Sequence, residues 1–217
     1  GSGMTRAVLR GGRYIGVHAL GDLSARVREA VLAGGFCYAY HSELDMMGHL
    51  YGPGSTAWLM QLRQVDCLVQ SIVEGLPPGG MLAVVADHGM VSVNPADAVD
   101  IDSHDALTDG VTDIGGEARA RHIYIVPGAE DDVLARWQTT LTDRAWVVSR
   151  DEAIAAGWFG ERVSDETRRR IGDVVAAARD SVGLLRRAAE PLASSLIGQH
   201  GALTTAEQNV PLLRACG

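Results

Sequence analysis

The sequence predicts an α/β protein with a mostly parallel sheet and helices on both faces of that sheet. A long segment with helical apolar spacing, Ser55–Leu76, precedes the strand MLAVVAD, which begins at Met81. Uninterrupted apolar strands of this kind are typical of sheets covered on both sides. A second strand–helix–strand pattern occupies residues 121–149, and this alternation indicates βαβ units.

The first half of the chain predicts two helices and two strands. Residues 23–32 have apolar side chains on one helical face and stop at Gly34 and Gly35. FCYAY, Phe36–Tyr40, predicts a short buried strand. The helix of Ser55–Leu76 ends at a Pro-Pro-Gly-Gly sequence, and the MLAVVAD strand follows it.

The second half predicts another α/β pair. RHIYIVP (residues 121–127) and AWVVS (145–149) fit strands, and Asp131–Leu141 fits the helix between them. Ile171–Ala178 fits either a buried strand or a helix, and we predict a strand. Because no internal repeat or long linker interrupts the 217 residues, we expect a single α/β domain over 1–217.

Composition excludes several classes of protein. The chain is 47% hydrophobic and 21% charged, which is typical of folded domains. Its net charge is −8 and all 19 basic residues are arginine, so a nucleic-acid partner is not expected. The three cysteines form no C-x-x-C pair, which disfavours a disulfide framework or zinc ribbon.

Neither a membrane span nor an export signal is visible. The longest apolar run, Met81–Ala86, is far shorter than the roughly 20 residues that a span requires. The opening GSGMTRAVLRGG lacks an apolar signal core. We therefore expect no membrane partner and a cytoplasmic location. The opening GSG fits either a cloning remnant or the interior of a longer polypeptide.

The first candidate site is the segment after FCYAY, where ligands of α/β sheets commonly bind. Asp45 and His49 are four residues apart, so both side chains lie on one face of a helical turn. A carboxylate and an imidazole together suit zinc. A helix cap beside a hydrogen-bonded histidine explains the same pair, and the spacing alone leaves both interpretations open.

The second candidate is ADHGM, Ala86–Met90, at the end of the most apolar strand. Adjacent strand side chains point in opposite directions, so Asp87 and His88 can approach one ion only if the backbone bends, which Gly89 permits. A metal would satisfy a buried aspartate. Alternatively, Asp87 caps the next turn and His88 packs against it.

Two later segments add further polar candidates. His200 lies in the loop GQHG, where flanking glycines allow the backbone to approach an ion, although a lone histidine is usually structural. Arg119, Arg121 and His122 precede or begin a predicted strand. They could contact a phosphate, but charged residues exposed to solvent at the start of a strand would explain the same pattern equally well.

Taken together, D-x-x-x-H, A-D-H-G-M and the late G-x-H-G followed by V-P-L resemble the type I phosphodiesterase / nucleotide pyrophosphatase family of the alkaline phosphatase superfamily. The likeness covers essentially the whole chain. It implies an alkaline phosphatase-like fold with two zinc ions at the carboxyl edge of a parallel sheet. By this resemblance Asp45, His49 and His200 would bind one zinc, while Asp87 and His88 would supply some of the ligands of the second zinc.

The family's remaining ligands are an aspartate and a nucleophilic threonine or serine, both upstream of D-x-x-x-H. Nothing before Asp45 matches them, so the chain resembles the C-terminal part of such an enzyme, lacking its N-terminal portion, and no catalytic residue is assigned. The resemblance implies a phosphodiester or nucleotide-like substrate and the missing N-terminal segment as a partner. Alternatives are a non-catalytic metal-binding fragment, or a phosphomonoesterase, sulfatase or phosphomutase.

Overall fold

The computed structural model describes residue 7 and residues 9–217. Its helices and strands are interspersed along the chain, as expected for an α/β protein. The helices are α1 (Leu20–Leu32), α2 (Glu43–Tyr51), α3 (Thr56–Glu74), α4 (Asp105–Thr108), α5 (Glu130–Leu141), α6 (Arg150–Ala155), α7 (Asp165–Arg170) and α8 (Thr205–Gln208). The strands are β1 (Met81–Val85), β2 (Val91–Ser92), β3 (Val99–Asp100), β4 (Val111–Glu117), β5 (Ala120–Ile125), β6 (Ala145–Ser149), β7 (Val174–Ala178), β8 (Leu184–Leu185), β9 (Gly198–Gln199) and β10 (Leu212–Cys216).

The chain contains two compact units. The first comprises the described residues up to Leu44, together with Leu59–Val85 and Pro211–Gly217. The second comprises Asp45–Trp58 and Ala86–Val210. A single domain over 1–217 stays a prediction. No helix in the described part of the chain is long and apolar enough to cross a membrane.

The first unit is built on the two predicted helices. Leu23 and Val27 of α1 pack against Leu68 and Ile72 of α3, which are the apolar positions expected from helical spacing. After α1 the N–H of Gly34 donates to the carbonyl of Val31, and Gly34 has a φ of +75°, a value that favours glycine. The predicted stop of this helix is thus confirmed.

The prediction of a buried strand at Phe36–Tyr40 is wrong. These residues lie outside the sheets of the described chain, and the Phe36 side chain is 95% exposed. An apolar sequence favours a strand only where a neighbouring strand completes its hydrogen-bond ladder and another layer covers its side chains.

Strand β1 is confirmed, but only one of its faces is covered. It pairs antiparallel with β10, with Met81 opposite Cys216 and Val85 opposite Leu212. Leu82 packs on the α1–α3 core, whereas Met81 and Val85 are exposed. The apolar run therefore does not indicate two covered faces here.

The second unit contains a four-stranded sheet in the order β4-β5-β7-β6, and every neighbouring pair is antiparallel. Helix α5 covers it, with Val133, Trp137 and Leu141 in the same core as strand residues of β5, β6 and β7. The predicted strands at 121–127 and 145–149 and the helix between them are confirmed. Because β7 is antiparallel to both β5 and β6, those two strands run parallel to each other, with β7 inserted between them.

Strand β7 also settles the ambiguity at Ile171–Ala178 in favour of a strand. Val174, Ala176 and Ala178 face the core under α5, and Val175 faces a second core that includes Ala153 and Ile171. Both faces are buried, which explains the continuous apolar run. Direct parallel pairing is confined, among the described residues, to β3 with β8. The α/β class is confirmed, but the described sheets are largely antiparallel rather than mostly parallel.

Candidate metal centre

Three segments distant in sequence meet in the second unit. They are the part of α2 that carries Asp45 and His49, the loop after β1, and the loop after β9. The short β2–β9 ladder pairs Val91 with Gln199, which brings the loop of His88 beside that of His200. Helix α2 joins them because the N–H of Ile197 donates to the carbonyl of His49 over 2.9 Å.

Two glycines allow these segments to approach closely. A Cβ on Gly48, between the two polar residues of α2, would lie 2.6 Å from the sulfur of Met90 in the ADHGM motif. A Cβ on Gly198 would lie only 2.2 Å from the carbonyl oxygen of Gly48. The backbone of β9 therefore packs directly on α2, which leaves no room for a side chain between them.

Four of the five predicted ligands lie together. Asp45, His88 and His200 each offer a ligand atom, and these atoms lie within 4.8 Å of one another. The rings of His88 and His200 are stacked with centroids 3.6 Å apart, and those of His49 and His200 are 5.1 Å apart. The Nε2 atom of His49 lies 3.5 Å from Oδ2 of Asp45. We refer to Asp45, His49, His88 and His200 as the ligand cluster.

Asp87 is placed differently. Its side chain is 70% exposed, and its Oδ1 lies 3.7 Å from Nε2 of His88. It neighbours the ligand cluster through that histidine. The predicted division into Asp45, His49 and His200 for one zinc, with Asp87 and His88 for the other, stays a prediction. The tightest group in the structure combines His88 with Asp45 and His200.

Two histidines of the ligand cluster have defined tautomers. Nδ1 of His49 donates to the carbonyl of Gly198 over 2.8 Å, and Nδ1 of His88 donates to the carbonyl of Gly89 over 2.9 Å. A carbonyl oxygen can only accept, so Nδ1 carries the proton and a neutral ring keeps its lone pair on Nε2. This is how a metal-binding histidine is commonly oriented by its backbone.

The surroundings of Asp45 fit a cation. Its Oδ1 is buried and has no hydrogen-bond partner among the described residues, while its Oδ2 faces Nε2 of His49. Burial, followed by the proximity of His88, lowers the pKa of His200, and the neighbouring carboxylates offset this only in part. An unsatisfied carboxylate oxygen beside imidazole nitrogens is a donor set that suits zinc.

Neither expectation for Arg119, just before β5, and Arg121, within it, is correct. Arg119 and Arg121 are buried, with 0% and 1% exposure, so they neither face solvent nor contact a phosphate there. Arg119 is paired with Glu207 and Arg121 with Glu190. Sequence reasoning missed Glu207. Its spacing from Thr204 matches a helix-capping pattern, which gives no indication of a partner 88 residues away.

Fold and ligand cluster together define an α/β protein with a candidate metal centre built from aspartate and histidine. The family model for type I phosphodiesterase / nucleotide pyrophosphatase matches residues 20–203. The chain belongs to this family, which confirms the resemblance carried by its three motifs. Comparison with curated proteins finds no match.

Solved structures show the same fold. An inactive variant of murine ectonucleotide pyrophosphatase / phosphodiesterase 5 in complex with AMP has a TM-score of 0.72 at 20% identity, covering 93% of this chain and 53% of that one. Another structure of the murine protein has a TM-score of 0.69 at 20% identity, with coverages of 93% and 53%. The human protein has 0.67 at 19% identity, with 94% and 54%. The alkaline phosphatase-like α/β fold is thus confirmed, and the chain spans about half the length of these structures.

Proposed function

We propose that this chain is the metal-binding part of a zinc-dependent phosphodiesterase or nucleotide pyrophosphatase. The observation that carries the proposal is the ligand cluster. In it a buried carboxylate oxygen of Asp45, which has no hydrogen-bond partner among the described residues, lies beside three imidazoles. Membership of the family supports the reaction class. The AMP bound to the murine relative supports a nucleotide-like substrate.

Each member of the ligand cluster, together with Asp87, has a role in this proposal. Asp45, His49 and His200 would hold one zinc, and Asp87 with His88 would contribute to a second. When bound, zinc supplies a Lewis acid for phosphate oxygens and lowers the pKa of a coordinated hydroxyl group. The main-chain carbonyls of Gly198 and Gly89 orient His49 and His88 with Nε2 available. Asp45 contributes negative charge that favours a cation over an anion at this position.

We further propose that this chain has little or no turnover by itself. The family's nucleophile is a threonine or serine paired with an aspartate, and no segment of this sequence matches that pattern. The same observation favours the second candidate function, a non-catalytic metal-binding fragment. A partner that completes the site would be the preceding part of the same family domain.

The metal site is tested by zinc content, measured by elemental mass spectrometry on the purified chain. We expect about one tightly held zinc per chain, lost in His49→Ala and in His200→Ala. His104→Ala is the matched control, because His104 is exposed and outside the ligand cluster. Zinc retained in both cluster variants, or absent from the wild type, would contradict the proposed site.

The reaction is tested on a longer polypeptide that also contains the preceding part of the family domain. We expect the longer polypeptide to hydrolyse a model phosphodiester in a zinc-dependent reaction. The present chain should show no such hydrolysis, and His200→Ala should abolish it in the longer polypeptide. A folded, zinc-loaded longer polypeptide without hydrolysis would favour the non-catalytic function. Faster hydrolysis of a phosphomonoester or a sulfate ester would instead favour the related superfamily activities.

A further inference from the structure

A buried ion pair lies next to the loops that carry two of the histidines. Arg119 and Glu207 are 0% and 2% exposed. The guanidinium donates from Nε to Oε1 of Glu207 over 3.0 Å and from Nη2 to Oε2 over 2.8 Å, a bidentate geometry. Neither residue belongs to the ligand cluster.

Arg119 is anchored to the central sheet by its remaining donors. They bond to the main-chain carbonyls of Ala178, Arg179 and Val182, at the end of β7 and in the turn after it. The carbonyl of Arg119 itself accepts from the N–H of Ala178 over 2.8 Å. The guanidinium therefore has a fixed position, and it holds the Glu207 carboxylate in place.

Glu207 in turn contacts both histidine loops. Its Oε1 accepts from the N–H of Ala202, two residues after His200, over 3.0 Å. Its main-chain carbonyl accepts from the N–H of Gly89, directly after His88, over 2.7 Å. The approach at Gly89 is tight, since a Cβ there would lie 1.9 Å from the carbonyl oxygen of Ala206.

Stability alone is a weak explanation for this pair. When two charges are buried, the free energy of their hydration is lost, and their mutual attraction does not reliably compensate for it. Apolar residues of similar size can often replace such pairs without a loss of folding stability. Glu207 does, however, accept from N–H groups of two loops, from Ala202 through its carboxylate and from Gly89 through its main-chain carbonyl. The relative position of these loops sets the stacking of His88 on His200.

We propose that Glu207, fixed by Arg119, is a positioning residue that holds the loops of His88 and His200 in the arrangement that binds the metal. This inference rests on the metal site of the proposed function. It adds two residues that lie outside the ligand cluster.

The test compares zinc affinity with folding stability in four proteins of full chain length. These are the wild type, Glu207→Ala, the double variant Arg119→Met with Glu207→Leu, and Glu190→Ala. The last is the matched control, because it also removes the carboxylate partner of a buried arginine, Arg121. Zinc affinity is measured by competition with a chelator, Co²⁺ d–d absorption reports coordination geometry, and urea unfolding reports stability.

We expect Glu207→Ala to lower zinc affinity by about 10- to 100-fold and to alter the Co²⁺ spectrum. The double variant should recover stability, since no unpaired buried charge remains, yet keep the low affinity because the acceptor for Ala202 is absent. Glu190→Ala should lose stability and keep the affinity and spectrum of the wild type. The double variant also provides the test if Glu207→Ala does not fold.

Two results would overturn the proposal while leaving the metal site intact. One is wild-type zinc affinity in the folded double variant, which would make the pair purely structural. The other is an equal loss of affinity in Glu190→Ala, which would make the effect a general consequence of destabilisation. Failure of the wild type to bind zinc or Co²⁺ would instead refute the proposed function, and the positioning role with it.

Discussion

Replacing Gly198 by alanine tests the packing that assembles the ligand cluster. The new Cβ would lie 2.2 Å from the carbonyl oxygen of Gly48 and 2.5 Å from the Met90 sulfur. The sulfur can move with its flexible side chain, but the carbonyl belongs to α2. Ordinary van der Waals contact begins near 3.4 Å, so the two backbones must separate by about 1.2 Å.

This separation affects both stability and the metal site. Overpacking of a closely fitted contact costs about 1–3 kcal/mol of the free energy of unfolding. It also displaces the carbonyl that accepts from Nδ1 of His49 over 2.8 Å. Since loss of such an orienting partner weakens metal binding, we expect Gly198→Ala to lower zinc affinity by at least about tenfold.

The assay is urea unfolding of the zinc-free chain, followed by chelator competition for zinc. Gly21→Ala is the control, because a Cβ at Gly21 meets nothing within 4 Å and its φ is not positive. That variant should keep its zinc affinity and its free energy of unfolding, or gain up to about 1 kcal/mol. If Gly198→Ala matches the wild type in both measurements, the tight approach of β9 to α2 does not assemble the cluster.

Three further predictions concern stability and surface. Burial raises the pKa of Asp102, but the N–H of Ala189 and the guanidinium of Arg186 outweigh this, and the pKa lies below its ordinary 3.8. Asp102→Asn should therefore lower the free energy of unfolding near neutral pH, and the difference from wild type should close as the pH falls below 3.8 in urea titrations. Trp137→Ala, which empties a fully buried site, should cost about 3–5 kcal/mol by the same method. The chain should bind an apolar fluorescent dye, and Phe36→Ser should reduce that fluorescence while changing stability by less than about 0.5 kcal/mol. Unchanged fluorescence would show that Phe36 is not part of the dye-binding surface.

The fold was predictable where the sequence pattern reports a local property. The apolar faces of α1, α3 and α5 indicate helices because neighbours three and four residues apart share a face. Strand pairing was not predictable in this way. Strands β1 and β7 have similar apolar runs, yet only β7 is buried on both faces, because burial depends on which distant elements cover a strand.

The residues of the candidate site also differ in whether a local sequence pattern could predict them. Asp45 and His49 could be proposed together from spacing on one helix, whereas His200 could be joined to them only through the resemblance to a family. The pairing of Arg119 with Glu207 had no signal in the sequence. Charged residues are mostly exposed, and a partner 88 residues away is defined only by the folded chain.

The ligand cluster is held by backbone contacts more than by its own side chains. His49 and Gly198 are 149 residues apart, and their hydrogen bond fixes both the ring of His49 and strand β9, which precedes the loop that carries His200. The N–H of Gly89 is fixed in the same way by the carbonyl of Glu207. Yet Asp45 Oδ1 has no hydrogen-bond partner in the described chain, although a buried carboxylate oxygen without one is costly. Backbone bonds thus impose an arrangement that the side chains of the cluster do not satisfy among themselves. A cation is the group that would turn this cost into binding free energy, and this is the physical basis of the metal role that we propose for the cluster.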